Sequence, residues 1–155
     1  MISEKDFYVR TMKRDDLPRL RDIYMAVFTA PPWNFSWLSK ENVDRYFSDM
    51  FSSPPFAGFV CVCKNAAIGG CFGDISDYFA HSQYYIKEVF VDSRIQRNGV
   101  GSLFLRLAER RLKTIGVVSV TLFTSKTIPA YDFYLKNGYE TEERNVYMAK
   151  FIGEE

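Results

Sequence analysis

The stretch of sequence that decides the fold runs from Tyr84 to Leu112 and reads YYIKEVFVDSRIQRNGVGSLFLRLAERRL. It begins with a run rich in β-branched and aromatic residues, which is typical of a β-strand. A polar bend follows and leads to two glycines, Gly99 and Gly101. After the glycines the apolar residues recur at helical spacing, at Val100, Leu103, Phe104, Leu107, Ala108, Leu112 and Ile115. The stretch therefore predicts a strand, a glycine-containing turn and an amphipathic helix.

A strand, a glycine turn and a helix in this order suit the binding of an anionic group. The first turn of a helix offers unpaired N–H donors and the positive end of the helix dipole. Glycines let a phosphate approach these donors closely. The spacing Gln96-x-x-Gly99-x-Gly101 lacks the Gly-Lys-Ser/Thr ending of a P-loop and the three glycines of the dinucleotide fingerprint. These two nucleotide-binding folds are therefore excluded.

Composition indicates one globular domain over residues 1–155, with 47% apolar and 25% charged residues. A net charge of +1 argues against nucleic-acid binding, and no apolar run approaches the roughly 18 residues of a membrane span. Residues 1–6 do not read as a signal peptide, and Cys61, Cys63 and Cys71 lack zinc or redox spacing. We therefore expect buried, reduced cysteines, a cytoplasmic protein and no metal site. Aromatic residues reach 17%, so some are expected to line a pocket.

The chain before the central stretch predicts the order β-α-α-β-β. A strand at 7–10 is followed by a helix that Asp15 or Asp16 can cap, and Ser39 can cap a second helix. Two antiparallel strands are predicted at 57–64 and 67–74. The polar residues 74–83, with the single histidine His81, are predicted to form a loop.

The chain after the central helix predicts a parallel strand, a short helix and a hairpin. The strand at 117–123 is reached through a helix, which makes it parallel to the central strand. Thr127 can cap a helix at about 128–136, and 140–144 with 146–151 can form a last antiparallel hairpin. The complete order is β-α-α-β-β-β-α-β-α-β-β, an α/β (α+β) fold.

Two motifs, with a helix and a strand between them, resemble those of the GNAT superfamily of acyl-coenzyme A-dependent N-acetyltransferases. The first is Gln96-x-x-Gly99-x-Gly101, which is similar to the family's pyrophosphate loop. The second is AYDFYLKNGY at 130–139, which is similar to the family's Ala-x-x-Phe-Tyr-x-x-x-Gly-Phe/Tyr. The resemblance covers nearly the whole chain. It implies a mixed, mostly antiparallel sheet with a splayed parallel strand pair, and transfer of an acetyl group from acetyl-coenzyme A to a primary amine.

The resemblance also implies which residues hold acetyl-coenzyme A. The backbone of Phe90 and Val91 is expected to pair with the pantetheine arm. Arg94 and Arg97 either meet the adenosine phosphates or are solvated. The hydroxyl of Thr124 or Ser125 is expected to replace a cofactor-binding asparagine of the family. The pyrophosphate is expected on the turn formed by Gln96, Arg97, Asn98, Gly99, Val100, Gly101 and Ser102.

The resemblance assigns the general acid to Tyr134, with Tyr131 as the competitor one turn earlier. A phenol with an ordinary pKa of about 10 is protonated at neutral pH and can protonate the departing thiolate. The attacking amine must itself lose a proton. Glu88 is a candidate base, although it can equally be a structural carboxylate within the sheet. Asp74 and Asp77 are the alternative bases.

The resemblance places the acceptor between the loop 31–38 and the sheet. Trp33, Phe35 and Trp37 are expected to wall this site, with Asp74, Asp77 and Glu88 as a negative floor. Aromatic faces and carboxylates suit a small cationic amine, as in the family's aminoglycoside-like branch. Peptide N-termini and lysine side chains are rival acceptors, and a non-catalytic acyl-coenzyme A sensor is the rival from another class. A homodimer is possible.

Overall fold

The computed structural model describes residues 4–78 and 81–153. The described chain divides into two compact units, one up to Phe123 and one from Thr124 onward. The first unit contains every strand and three of the α-helices, and the second contains one α-helix.

The first unit is built on a five-stranded sheet whose strands follow one another in sequence order, β1-β2-β3-β4-β5. Neighbouring strands from β1 to β4 are antiparallel, and β4 and β5 are parallel because a helix connects them. This is the mixed, mostly antiparallel sheet that the sequence predicts. The strands are β1 (Phe7–Thr11), β2 (Phe56–Cys63), β3 (Ala66–Tyr78), β4 (His81–Val91) and β5 (Val117–Leu122).

Helices α1 and α2 cover one face of the sheet. Their apolar stripes pack on Val60, Val62, Phe72 and Phe90 and form the main core. The predicted cap at Ser39 is confirmed, since its hydroxyl accepts the N–H of Asn42 at 3.1 Å. The helices are α1 (Leu17–Phe28), α2 (Lys40–Ser52), α3 (Val100–Thr114) and, in the second unit, α4 (Pro129–Lys136).

A β-bulge interrupts the pairing of β3 with β4. Phe72 lies opposite Glu88 and Gly73 lies opposite Ile86, so Lys87 is an extra residue on β4. The bulge reverses the side-chain alternation of the strand. Glu88 therefore shares a face with Phe90 and the helices, while Tyr84 lies on the other face and donates its hydroxyl to the carbonyl of Ala57 at 2.7 Å.

Glycine at position 73 is required by the side chain that crosses it. A Cβ on Gly73 would lie 2.6 Å from the hydroxyl oxygen of Tyr84 and still closer to its ring and to the carbonyl oxygen of Tyr85. Backbone and a buried ring cannot give way at that distance. Because Gly73 has no side chain, the ring of Tyr84 can pack directly against the backbone of β3 next to the bulge.

The parallel pair separates before β4 ends. Pairing between β4 and β5 stops at Ile86 and Leu122, whereas β4 continues to Val91 and pairs there with β3. The splayed parallel pair implied by the family resemblance is confirmed.

The loop predicted at residues 74–83 is wrong for most of its length. β3 runs on to Tyr78 and β4 begins at His81, so Asp74, Asp77 and His81 lie on paired strands. The hydrogen bonds of the ladder join backbone groups and form whatever the polarity of the side chains, so a polar composition does not by itself indicate a loop here. Residues 79–80 lie outside the described part of the chain.

Two predicted helix caps are also wrong. Helix α4 begins at Pro129 with Ile128 at its N-cap, and the N–H of Thr127 instead donates to the Ser125 hydroxyl at 3.2 Å. Asp16 stands at the N-cap of α1 but makes no side-chain cap bond. Its carboxylate accepts two bonds from Arg10, at 2.7 and 2.8 Å, because a bidentate ion pair is the stronger interaction.

The predicted last hairpin does not form, since residues 140–151 contain no strand. The turn at its centre is present, where the N–H of Asn145 donates to the carbonyl of Glu142 at 3.2 Å. Val146 and Met148 are strongly exposed, at 77% and 84%. Strand propensity is a preference for a packed, paired position, and an isolated two-stranded hairpin is marginal. The order β-α-α-β-β-β-α-β-α is thus confirmed and its last two strands are not.

Candidate functional site

A cavity of about 290 Å³ lies where helices α1 and α2 meet strand β4. Its walls are mainly aromatic and aliphatic, and one carboxylate projects into it. The lining residues are Tyr24, Trp37, Leu38, Asn42, Val43, Tyr46 and Glu88.

The carboxylate of Glu88 is held by two tyrosines, one from each helix. The hydroxyl of Tyr46 donates to Oε1 of Glu88 at 3.0 Å, and that of Tyr24 donates to the same oxygen at 3.3 Å. None of the residues described in the structure donates a hydrogen bond to Oε2. One oxygen thus fixes the side chain and the other can accept a proton or a hydrogen bond from a ligand.

Burial controls the protonation of this cluster. Desolvation raises the pKa of Glu88 from its ordinary value of 4.5 to about 7, although the bonds from Tyr46 and Tyr24 act in the opposite direction. Desolvation and the neighbouring carboxylate raise the pKa of both tyrosines. The tyrosines therefore keep their protons at neutral pH, while Glu88 exchanges its proton there. A carboxyl group poised near pH 7 is suited to general acid–base chemistry.

Sequence reasoning named Glu88 but missed Tyr24 and Tyr46. Tyr24 lies at an apolar-stripe position of α1 and Tyr46 at one of α2, and both pack against Phe47, so helical spacing indicates only a packing role for them. Their hydroxyls point beyond the core to Glu88. A buried phenol needs a hydrogen-bond partner, so a tyrosine on an apolar stripe was the available signal.

The aromatic loop contributes one residue directly to the cavity. Trp37 lines it and is 68% exposed. Phe35 stacks on Trp37 with ring centroids 5.2 Å apart and on Phe28 at 5.9 Å. Trp33 packs against the core and contacts Phe28 at 5.2 Å. Trp33 and Phe35 therefore support the wall that Trp37 presents.

The two aspartates predicted for the acceptor site do not line this cavity. Oδ2 of Asp74 pairs with Nζ of Lys87 at 2.7 Å, and its Oδ1 is buried without a hydrogen-bond partner. Asp77 is exposed on β3, opposite Ser82. The negative charge of Asp74 is thus compensated by Lys87, the extra residue of the β-bulge.

The glycine turn after β4 has the geometry expected of an anion site. Gly99 is left-handed, with φ of 75°, and a Cβ there would meet no atom within 4 Å. Helix α3 begins at Val100, so the N–H groups of its first turn precede the first intrahelical bond, from Leu103 to the carbonyl of Gly99. The side chain of Gln96 donates to the carbonyl of Val91 at 2.8 Å and ties the turn to β4.

The arginines near this turn differ in their contacts. Arg94 donates to both carboxylate oxygens of Asp92, with the shortest bond at 2.6 Å. It is therefore engaged in an ion pair that shapes the turn. Arg97 is exposed, and its backbone adopts the left-handed conformation, with φ of 69°. Open space, a helix start and an unpaired strand edge together fit a pyrophosphate and its extended arm.

The second unit holds the remaining predicted residues. Tyr134 is half-buried on α4, with its ring 5.3 Å from Phe133 and 5.4 Å from Tyr139. The hydroxyl of Tyr131 shares a hydrogen bond with Thr141 at 2.8 Å. Ser125 bonds the hydroxyl of Thr127 at 2.7 Å.

Residues 4–78 and 81–153 contain neither a cluster of metal-ligating side chains nor a membrane-spanning helix. No group of three or more His, Cys, Asp or Glu side chains is arranged to hold a metal ion. Within the same part of the chain, none of the helices combines the length and apolarity required to cross a membrane. The three cysteines are buried free thiols, as predicted.

The sequence model for the acetyltransferase (GNAT) family matches residues 17–139. A comparison with curated protein sequences gave no match.

Several solved structures are similar in fold. An aminoglycoside acetyltransferase, meta-AAC0020, from an uncultured soil metagenomic sample, in complex with sisomicin, has a TM-score of 0.73 at 22% identity, covering 97% of this chain and 99% of that chain. AAC(6')-Iy in complex with a coenzyme A bisubstrate analog has a TM-score of 0.72 at 16% identity, covering 94% and 99%. An integron cassette protein from the mobile metagenome of V. cholerae has a TM-score of 0.76 at 18% identity, covering 96% and 93%.

The raised pKa of Glu88 predicts a pH-dependent effect of Glu88→Gln on stability. Because the folded-state pKa is raised from 4.5 to about 7, the contribution of Glu88 is fully present below pH 4.5 and is lost as pH rises through 7. Glutamine removes the buried charge, so at pH 8 the variant should have a higher free energy of unfolding than the wild type, by on the order of 1–3 kcal/mol. The gain should nearly vanish at pH 4.5. Urea unfolding at both pH values measures it, with the exposed Asp49→Asn on α2 as control. Equal differences at the two pH values would contradict the prediction.

Proposed function

The chain belongs to the GNAT family of acyl-coenzyme A-dependent N-acetyltransferases, and on this premise we propose that it acetylates the primary amine of a small cationic molecule from acetyl-coenzyme A, with Glu88 as general base. One observation carries the proposal. A carboxylate with a pKa of about 7 lies in a cavity of about 290 Å³ and has one oxygen fixed by two tyrosines.

Glu88 is proposed to take the proton of the acceptor. A lysine-like ammonium has a pKa of about 10.4 and cannot attack a carbonyl until it is deprotonated. Oε2 of Glu88 accepts that proton, directly or through one water, while the tyrosines hold Oε1. A base whose pKa lies near the working pH is ionised often enough to act and basic enough to receive the proton.

The turn from Gln96 to Ser102 and the free edge of β4 are proposed to hold acetyl-coenzyme A, which supplies the acetyl group as a thioester. The N–H groups at the start of α3 would bind the pyrophosphate, and the backbone of Phe90 and Val91 would pair with the pantetheine arm. The bulge at Lys87 interrupts the ladder and leaves backbone donors for the negative charge that develops on the carbonyl oxygen. Ser125 is proposed as a further contact to the cofactor.

Tyr134 is proposed as the general acid. The nitrogen of the acceptor loses two protons in all, one to Glu88 before the attack and one after the new C–N bond forms. As the C–S bond breaks, Tyr134 protonates the thiolate and is reprotonated by the equivalent of the second proton, so acetylation of an ammonium releases one proton to solvent. The match of Phe133-Tyr134 to the family motif supports this role. The competing Tyr131 hydroxyl already shares a hydrogen bond with Thr141.

The two aminoglycoside acetyltransferases of similar fold make an aminoglycoside one candidate acceptor. Peptide amines are the alternative within the family. A binding-only sensor has no use for a carboxylate poised near pH 7, and this favours catalysis.

Replacement of Gly99 by Val should weaken acetyl-coenzyme A binding by more than tenfold, because a branched side chain would stand before the N–H donors of α3. Calorimetry measures the dissociation constant. Gly116→Val is the matched control, since Gly116 also has a positive φ and open space but lies at the other end of α3. An unchanged affinity in folded Gly99→Val would remove the turn from the cofactor site.

The acid limb of kcat/KM should titrate near pH 7 and disappear in Glu88→Gln. In Tyr46→Phe the limb should move to higher pH, by about one unit, because the lost hydrogen bond stabilised the carboxylate. The rates are measured with an amine whose own pKa is above about 9. Tyr84→Phe is the control, since it removes a buried hydroxyl on the opposite face of the sheet. A limb that stays in place in Tyr46→Phe and persists in Glu88→Gln would assign it to another group.

Tyr134→Phe should lower kcat by on the order of 10²-fold while the fold and the cofactor affinity survive, because it removes only the proton donor. Tyr131→Phe should change kcat much less. Single-turnover rates at saturating substrates measure the chemical step. A folded Tyr134→Phe enzyme with an unchanged chemical step would exclude Tyr134 as the acid.

A further inference from the structure

We propose that the acceptor carries a single positive charge attached to an apolar, preferably aromatic, body. This inference rests on the proposed function and narrows the substrate class of the same cavity. It follows from the walls of the cavity, from the charges around it and from its size.

The walls of the cavity are apolar on most sides. The rings of Tyr24, Trp37 and Tyr46 and the side chains of Leu38 and Val43 form them. An apolar or aromatic body gains from contact with such surfaces, and an ammonium gains from ring faces and from a carboxylate. One ammonium group beside Glu88 pairs with the single carboxylate of this lining.

A second ammonium finds no carboxylate in the cavity. Among the described residues that line it, Glu88 alone carries a formal charge. Asp74 lies on the same face of the sheet, but Lys87 compensates it at 2.7 Å. An additional buried ammonium would therefore lack a partner, which is costly in an apolar site.

A cation at the rim adds to this selection. Nη2 of Arg45 donates to Oδ1 of Asn42 at 2.7 Å, and Asn42 lines the cavity. The guanidinium repels positive groups that extend past Asn42 from the bound amine. The carboxylate of Glu88 thus lies inside the cavity, and the guanidinium of Arg45 is bonded to one of the residues that line it.

The size of the cavity agrees with a small acceptor. A volume of about 290 Å³ is just below the range of roughly 300–1,000 Å³ that is typical of ligand pockets. One ring with a short aminoalkyl chain fits this volume, whereas several linked amino sugars must extend beyond it.

Matched amines test the proposal on the whole chain. Benzylamine and 4-(aminomethyl)benzylamine have the same ring and differ by one ammonium, and butylamine has the charge without the ring. Kanamycin represents the polycations. Coenzyme A release is measured at saturating acetyl-coenzyme A and pH 8, with kcat/KM expressed per amino group and per unprotonated fraction. We expect benzylamine to exceed the diamine and butylamine by at least tenfold each, and kanamycin to be the poorest acceptor.

A charge reversal at the rim tests the electrostatic part. Arg45→Glu should raise kcat/KM of the diamine relative to benzylamine by about threefold or more, because the rim then attracts the second ammonium. Arg110→Glu, at an exposed position on α3, makes the same change in net charge and should leave that ratio unchanged.

The possible outcomes separate the two proposals. If no amine, kanamycin included, releases coenzyme A although acetyl-coenzyme A binds, the proposed function is overturned and the inference with it. If the diamine or kanamycin equals or exceeds benzylamine, and Glu88→Gln abolishes that transfer, the proposed function stands and a singly charged acceptor is refuted. A preference for benzylamine that Arg45→Glu weakens and Arg110→Glu does not supports the inference.

Discussion

The extra residue at Lys87 is the constraint on which the rest of the site depends. Without the bulge, regular alternation would place Tyr84 and Glu88 on the same face of the sheet. With it, Tyr84 lies on one face against the carbonyl of Ala57, and Glu88 turns to the helices on the other. Glycine at position 73 accommodates this arrangement because Tyr84 crosses it. One inserted residue thus places a carboxylate in the cavity and also interrupts the ladder where the chemistry is proposed.

The environment of Glu88 is a compromise between solvation and hydrogen bonding. Removal from water disfavours the carboxylate, and two phenols partly restore what water supplied, so its pKa settles at about 7. A fully solvated glutamate would be too weak a base at neutral pH, whereas a buried one without donors would remain protonated. Because Tyr24 and Tyr46 come from different helices, the same bonds also join α1 and α2 to β4. The raised pKa of Glu88 therefore lowers the free energy of unfolding at neutral and alkaline pH, and the same pKa suits the general-base role proposed for it.

Strand β4 is proposed to contact both substrates, acetyl-coenzyme A along one edge and the acceptor beside Glu88. One edge of β4 is paired with β3 as far as Val91. The other edge is paired with β5 only as far as Ile86. The edge of β4 that β5 leaves unpaired after Ile86 continues into the turn that ends at Gly99 and the start of α3. The carboxylate at Glu88 projects from the same strand into the cavity between the helices. A donor held on the edge and an acceptor held on the face would thus meet at one strand.

The sequence by itself determined the elements, their order as far as α4, and the glycine turn for which anion binding is proposed. Hydrophobic periodicity, the cap at Ser39 and the Gly99–Gly101 spacing all act locally. It also supplied Glu88 as a candidate. Only the tertiary structure decided which face Glu88 occupies and which partners it has, since the register of a bulged strand is set by its neighbours. The same dependence explains the errors. Residues 74–78 and 81–83 are paired because β3 and β4 extend each other. The mostly apolar residues 146–151 form no strand, because strand formation requires a partner that a local pattern cannot supply.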